Sequence, residues 1–141
     1  MASYLIVANR TLASSTLAEA IEDRLARGPS AFHVLVPATP VGGGLTWDEE
    51  SSRAAAEERL KGLIDHLCAL GATDATGEIG VSDPVAAAAD VLANRQVDEV
   101  ILSTLPAGIS RWLGQDVPSR MRGVTRVPVT VITAKEGATT S

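Results

Sequence analysis

The sequence predicts a doubly wound α/β domain, a five-stranded parallel sheet with helices on both faces in three α/β/α layers. Three observations carry this reading. Short continuous apolar runs recur along the chain, at Tyr4-Leu5-Ile6-Val7-Ala8, Phe32-His33-Val34-Leu35-Val36, Val100-Ile101-Leu102 and Val129-Thr130-Val131-Ile132. Such runs fit strands buried on both faces. Amphipathic segments with apolar residues every three or four positions lie between them. The strict alternation of strand and helix then calls for a parallel sheet with crossover helices, and right-handed crossovers leave only a few doubly wound orders.

The elements follow in order. After the first strand, Asn9 to Ala13 is a polar turn, and Ser14 or Ser15 is placed to cap a helix. Leu17, Ile21 and Leu25 form its inner stripe, while Glu19, Glu22, Asp23 and Arg24 are expected to face water, and Gly28-Pro29 stops it. The second strand leads into a glycine- and proline-rich loop, Pro37 to Leu45. Thr46 and Glu49 have capping-box spacing. A long helix follows with Ala56, Leu60, Leu63, Ile64, Leu67 and Leu70 on one stripe, ended by Gly71. Thr73 to Ile79 is a more polar strand, hence an edge.

Asp83-Pro84 starts the next helix, a capping side chain followed by proline. Its expected buried face is Val85, Ala88, Ala89 and Leu92. The fourth strand lies within Val97 to Ser103. A short helix near Ser110 to Gln115 and another after Pro118 bring the chain to the last strand, Val129 to Ile132. The 141 residues make one domain, expected over 1–134, with a polar tail over 135–141.

Composition narrows the functional classes. Apolar residues are 45% and charged residues 21%, an ordinary globular balance, while aromatics are only 3%, which suits close helix packing. The net charge of −5 argues against non-specific binding to nucleic acid or an anionic membrane, since both need a basic surface. Arg95, Arg111, Arg120, Arg122 and Arg126 nevertheless fall in one stretch. No run reaches the ~18 apolar residues of a membrane span, and Met1 to Val7 is too short for a secretory apolar region. The expectation is a cytoplasmic protein. Cys68 has no second cysteine to pair with.

The opening strand Leu5-Ile6-Val7-Ala8, the β-α-β order, the segment Val97-Asp98-Glu99-Val100-Ile101-Leu102, the stretch Gly108-Ile109-Ser110-Arg111-Trp112-Leu113 and the closing Val127-Pro128-Val129-Thr130-Val131-Ile132 together resemble the universal stress protein family. The resemblance covers nearly the whole chain. It implies the strand order 3-2-1-4-5 and a homodimer formed through the last strand, Val129 to Ile132. It also implies how nucleotide-binding members hold ATP: an acidic residue at the end of the first strand, and a Gly-x2-Gly-x9-Gly-Ser/Thr loop around the phosphates.

This chain departs from that pattern. Aligned through the fourth strand, the glycine places fall on Leu102, Leu105 and Gln115, the Ser/Thr place on Asp116, and the acidic place on Arg10 or Asn9. Glycine lets backbone N–H groups approach a phosphate, leucine obstructs that approach, and a carboxylate at Asp116 repels it. Gly108 and Gly114 stand out of register, so a shifted loop is the alternative.

Ligands of such sheets bind beyond the carboxyl ends of the strands, at the switch point between the first and fourth. Asn9, Arg10, Thr11, Ser103, Thr104 and Arg111 are the candidate crevice residues. Arg10 offers a planar fork to a small anionic ligand. The competing reading is loop hydrogen bonding and helix capping. Arg111, Arg120, Arg122 and Arg126 read as solvated cations paired with nearby carboxylates. Gly42-Gly43-Gly44 is no P-loop, because the Lys-Ser/Thr that should follow is missing. His33, His66 and Cys68 lack zinc spacing, and Cys68 reads as a small core residue. Trp47 and Trp112 are the largest apolar groups. Ser103, Ser110 and Ser119 have no nucleophile-elbow context.

The expectation is a non-catalytic, regulatory, homodimeric stress-response protein that lacks the usual ATP loop and holds no resident cofactor or metal. The alternative is an ATP- or AMP-binding stress protein, or a slow ATPase, using a variant phosphate loop. An enzyme acting on a small anion at Arg10 and Thr104 is a third reading, for which no acid–base pair is visible.

Overall fold

The computed structural model describes residues 2–8, 15–37, 49–80, 83–104 and 116–133. The apolar runs become β1 (Ala2–Ala8), β2 (Ser30–Pro37), β3 (Asp74–Gly80), β4 (Glu99–Thr104) and β5 (Val129–Thr133). Between them stand α1 (Ser15–Arg27), α2 (Glu49–Ala69), α3 (Pro84–Asn94) and the short α4 (Val117–Arg122). All strand pairs are parallel and the order is β3-β2-β1-β4-β5. The expected capping residue Thr46, the expected helix near Ser110 to Gln115, the Gly42-Gly43-Gly44 segment, both tryptophans and the tail over 135–141 lie outside the described residues.

Side chains alternate across the pleat, and this separates two apolar layers. Tyr4, Ile6, Ala8, Phe32, Val34, Val36 and Ile101 face Leu17 and Ile21 of α1 and Ala56, Leu63 and Leu67 of α2. Leu5, Val7, Leu35, Val100 and Leu102 face Val85, Ala88 and Val91 of α3 and Val117 and Met121 of α4. The central strands are buried on both sides, which is why they read as unbroken apolar runs. In β3 exposed and half-buried residues alternate, as the polar sequence of an edge strand requires.

The helix ends follow the local signals. Asp83 caps α3 by accepting the Val85 N–H at 3.1 Å, with Pro84 inside the first turn. Gly71 adopts φ of 110° after α2, and the Ala72 N–H reaches back to the Leu67 carbonyl at 3.0 Å. That turn needs the left-handed backbone that glycine tolerates.

Two expectations about helix faces are corrected. The buried face of α3 is Val85, Ala87, Ala88 and Val91, with Ala89 and Leu92 only half-buried. The helix is turned so that Ala87 meets the sheet: a Cβ on Gly80 would lie 2.7 Å from the Ala87 Cβ. Cys68 is exposed rather than a core residue, because its neighbour Leu67 takes the inward position.

Candidate ligand crevice at the carboxyl edge of the sheet

The parallel strands end together at one edge. There Ala8, the last residue of β1, pairs with Ser103 of β4, and Thr104 pairs with Thr133 of β5. After β1 the chain turns to β2 on one side, and after β4 it turns to β5 on the other. Divergence between two adjacent strand ends opens the crevice in which doubly wound folds take their ligands.

Of the six candidate residues, Ser103 is placed at this edge, side by side with Ala8, and both are almost fully buried. Thr104 is the final residue of β4. Asn9, Arg10, Thr11 and Arg111 lie outside the described residues; in the chain, Asn9 directly follows Ala8.

Leu102 does not obstruct a phosphate from within the crevice. It is fully buried in the α3–α4 layer, between Val7 and Val131 in the sheet. Its side chain fills core, so the argument from a leucine at this position is corrected, and Leu105 and Gln115 lie outside the described residues. Asp116 is exposed immediately before α4, in the left-handed region with φ of 57°. Aspartate is one of the few residues that tolerate this conformation.

The opposite, amino edge is closed by a polar network that sequence reasoning missed. Arg24, expected to face water, is only 8% exposed. It grips Glu99 with two bonds, Nε to Oε1 at 3.0 Å and Nη2 to Oε2 at 2.6 Å, and donates Nη1 to the Ala20 carbonyl at 2.9 Å. Thr130 of β5 donates to the same carboxylate. The guanidinium carbon stands 6.0 Å from the centre of the Tyr4 ring, which stacks on Phe32. A signal for this was present: Arg24 falls three residues after Ile21 and seven after Leu17, on the inner stripe of α1.

The electrostatics follow from burial and pairing. Burial pushes the Glu99 carboxyl up, but hydrogen bonds from Arg24 and Thr130 and the charge of Arg24 outweigh it and hold the group below its ordinary value. Arg24 is raised above its ordinary value, first by its hydrogen bond to Glu99 and against the effect of burial. This pair locks α1, β4 and β5 together beneath the crevice.

His33 is buried and structural, its Nδ1 2.8 Å from Thr76 Oγ1 and its Nε2 2.8 Å from Glu78 Oε2. Arg120 pairs with Asp83 at 3.0 Å on the surface, as expected of a solvated cation. Among the described residues, no three His, Cys, Asp or Glu side chains are grouped to hold a metal, and no helix is long and apolar enough to cross a membrane.

No protein-family model matches this sequence, and no curated protein matches it. Solved structures do. A universal stress protein in complex with cAMP superposes with a TM-score of 0.68 at 17% identity, over 95% of this chain and 98% of that one. The universal stress protein from Archaeoglobus fulgidus gives 0.67 at 16% identity over 94% and 93%. Its complex with dAMP gives 0.67 at 16% over 94% and 98%. The chain has the fold of the universal stress proteins, a Rossmann-like α/β domain with strand order 3-2-1-4-5.

Proposed function

We propose that this chain is a universal-stress-like regulatory protein that acts by binding and not by catalysis, and that it lacks the loop with which nucleotide-binding members wrap ATP. One observation supports this most: the scaffold of the crevice is intact, with Ala8 and Ser103 paired at diverging strand ends, while the phosphate-loop places that follow β4 hold Leu105, Gln115 and Asp116. An exposed carboxylate at Asp116 disfavours a triphosphate on that side. The protein works in the cytoplasm as a homodimer. Its β5 edge is short, rich in Val129, Val131 and Ile132, and among the described residues it pairs with β4 on one side; a second copy would cover the other side.

A second reading is favoured by the similar solved structures, two of which hold adenine nucleotides with a single phosphate, cAMP and dAMP. One phosphate needs fewer backbone donors than three, so loss of the triphosphate loop leaves this class of ligand open. Arg10 would then supply the fork for the single phosphate.

Calorimetric titration separates the readings. With magnesium–ATP, no saturation up to millimolar concentration is expected, and micromolar saturation overturns the proposal. Micromolar saturation by AMP or cAMP alone selects the second reading. Light scattering at micromolar protein is expected to give a dimer, and a monomer removes the β5 interface.

A further inference from the structure

The fold divides the arginines that cluster late in the chain. Arg120 is held by Asp83 at 3.0 Å. Arg95, Arg122 and Arg126 are exposed, and among the described residues none of them makes an ion pair. The remaining exposed cations are dispersed: Arg27 on α1 pairs with Asp23, and Lys61 lies on α2. In a chain of net charge −5, excess carboxylates are available, yet these three arginines take none.

Topology gathers the three at one corner. Crossover helices of a parallel sheet return from its carboxyl edge to its amino edge. α3 and α4 do so in the same layer, packed on one apolar cluster and tied by the Asp83–Arg120 pair. Arg95 directly follows α3, and Arg122 is the last residue of α4. Arg126 lies shortly before β5, whose Val129 pairs with Val100 of β4, and the Pro128 carbonyl accepts the Val100 N–H at 2.9 Å. The segment that carries Arg126 therefore runs beside the segment that leads from Arg95 into β4.

Helix ends account for part of this charge. A cation at the last turn complements the helix dipole, which covers Arg95 and Arg122. Arg126 lies beyond both helices, and the dipole gives no reason for Val124. That valine, between Arg122 and Arg126 in the chain, is 41% exposed, a large apolar side chain left in water. The segment is firmly held. The Gly123 N–H donates to the Ser119 carbonyl at 3.2 Å, the Val124 N–H to the Met121 carbonyl at 3.1 Å and the Val127 N–H to Thr125 Oγ1 at 3.3 Å. Met121, Val97 and Val127 anchor it in the α3–α4 layer. The acidic residue nearest Arg95 in sequence, Asp98, accepts the Ser3 N–H at 2.8 Å. A corner fixed beforehand loses little freedom when a partner docks.

We infer that Arg95, Arg122, Val124 and Arg126 form a docking surface for an acidic segment of a partner protein, one that carries an apolar side chain among its carboxylates. Charge and apolar character together select this occupant. A nucleic-acid backbone matches the arginines but leaves Val124 unmatched, and the acidic remainder of the protein repels a long polyanion. A carboxylate takes the guanidinium fork in two bonds, and an apolar neighbour on the same peptide covers Val124. The surface stands at the amino edge of the sheet, at the opposite end from the crevice, and does not depend on what the crevice holds.

An amide NMR titration of the whole chain with a blocked peptide of Glu-Glu-Leu repeats tests this. Saturable shifts are expected at residues 95 and 122–127, with affinity falling several-fold between low and physiological salt. The triple variant Arg95→Gln/Arg122→Gln/Arg126→Gln should bind about tenfold more weakly, three exposed ion pairs being lost. Val124→Ser should bind roughly threefold more weakly with the charges intact. All four positions are exposed, and the spectra of the free variants report directly that the fold is kept. Equal binding by the triple variant, or shifts confined to other surfaces, overturns the inference. So does failure to saturate at millimolar peptide. Tighter binding of oligothymidylate than of the peptide assigns the corner to nucleic acid and overturns it as well. Shifts of the same amides on raising protein concentration without peptide assign it to a second copy, with the same consequence.

Discussion

Two polar clasps cross this sheet, one at the amino ends of the central strands β1 and β4 and one at its β3 edge, and they differ in what they tolerate. At the centre, Arg24 and Glu99 meet through two hydrogen bonds with their side chains 9% and 13% exposed. At the edge, His33 is equally buried but its partner Glu78 is 51% exposed. A charge pair closed on both sides depends on both members, since removal of one strands the other in a poor solvent. A pair with one member in water is screened and worth less. The core thus holds a permanent ionic lock where three elements meet, and a softer one where a single strand joins the rim.

The largest effect expected from this difference is at the centre. Arg24→Met removes the cation that balances the buried Glu99 carboxylate and should lower unfolding free energy by about 3–5 kcal/mol, measured by urea denaturation. The double variant Arg24→Met/Glu99→Leu should recover most of that loss. If it does not, the pair acts mainly through packing on Tyr4. The same lock sets an acid limit. The Glu99 carboxyl is held below its ordinary value, so its contribution is fully present above the unfolded-state carboxylate range, near pH ~4, and is lost as pH falls through the lower folded value. Melting curves of wild type and Glu99→Gln should therefore converge as acidity increases.

Next in size is the contact that seats the edge strand. A Cβ on Gly77 would collide with the Leu60 side chain and approach the Val34 carbonyl at 3.0 Å. Gly77→Ala is expected to cost about 1–3 kcal/mol through overpacking, with increased exchange of β3 amides and little change at β1. Smallest is the edge clasp itself. Glu78→Gln should change global stability at neutral pH by no more than about 1 kcal/mol, because its carboxylate is half in water. A loss as large as that of Arg24→Met would erase the distinction between centre and edge.

Much of the architecture was legible in the chain. The runs Leu5 to Ala8 and Val100 to Leu102 are buried on both faces, and no polar position interrupts them. Asp83-Pro84 and Gly71 marked helix boundaries because their chemistry is local: a side-chain cap, a fixed φ, a left-handed turn. The sites were less legible. Arg24 has an outward-seeming residue type on an inward position, and residue type dominated the reading. Cys68 has an inward-seeming type on an outward position. Leu102, aligned to a phosphate-binding place, fills the core. Ser103 pairs with Ala8 at the strand ends.

By itself, the sequence determined the strands, the helices, their alternation and the polar character of β3, because burial on two faces, burial on one stripe and edge exposure each leave a distinct periodicity. Only the tertiary structure decided which polar groups meet. Arg24 and Glu99 are 75 residues apart, and His33 and Glu78 are 45 apart. Pairings over such separations are set by strand order, register and helix rotation, none of which is encoded in the local spacing of the residues that pair.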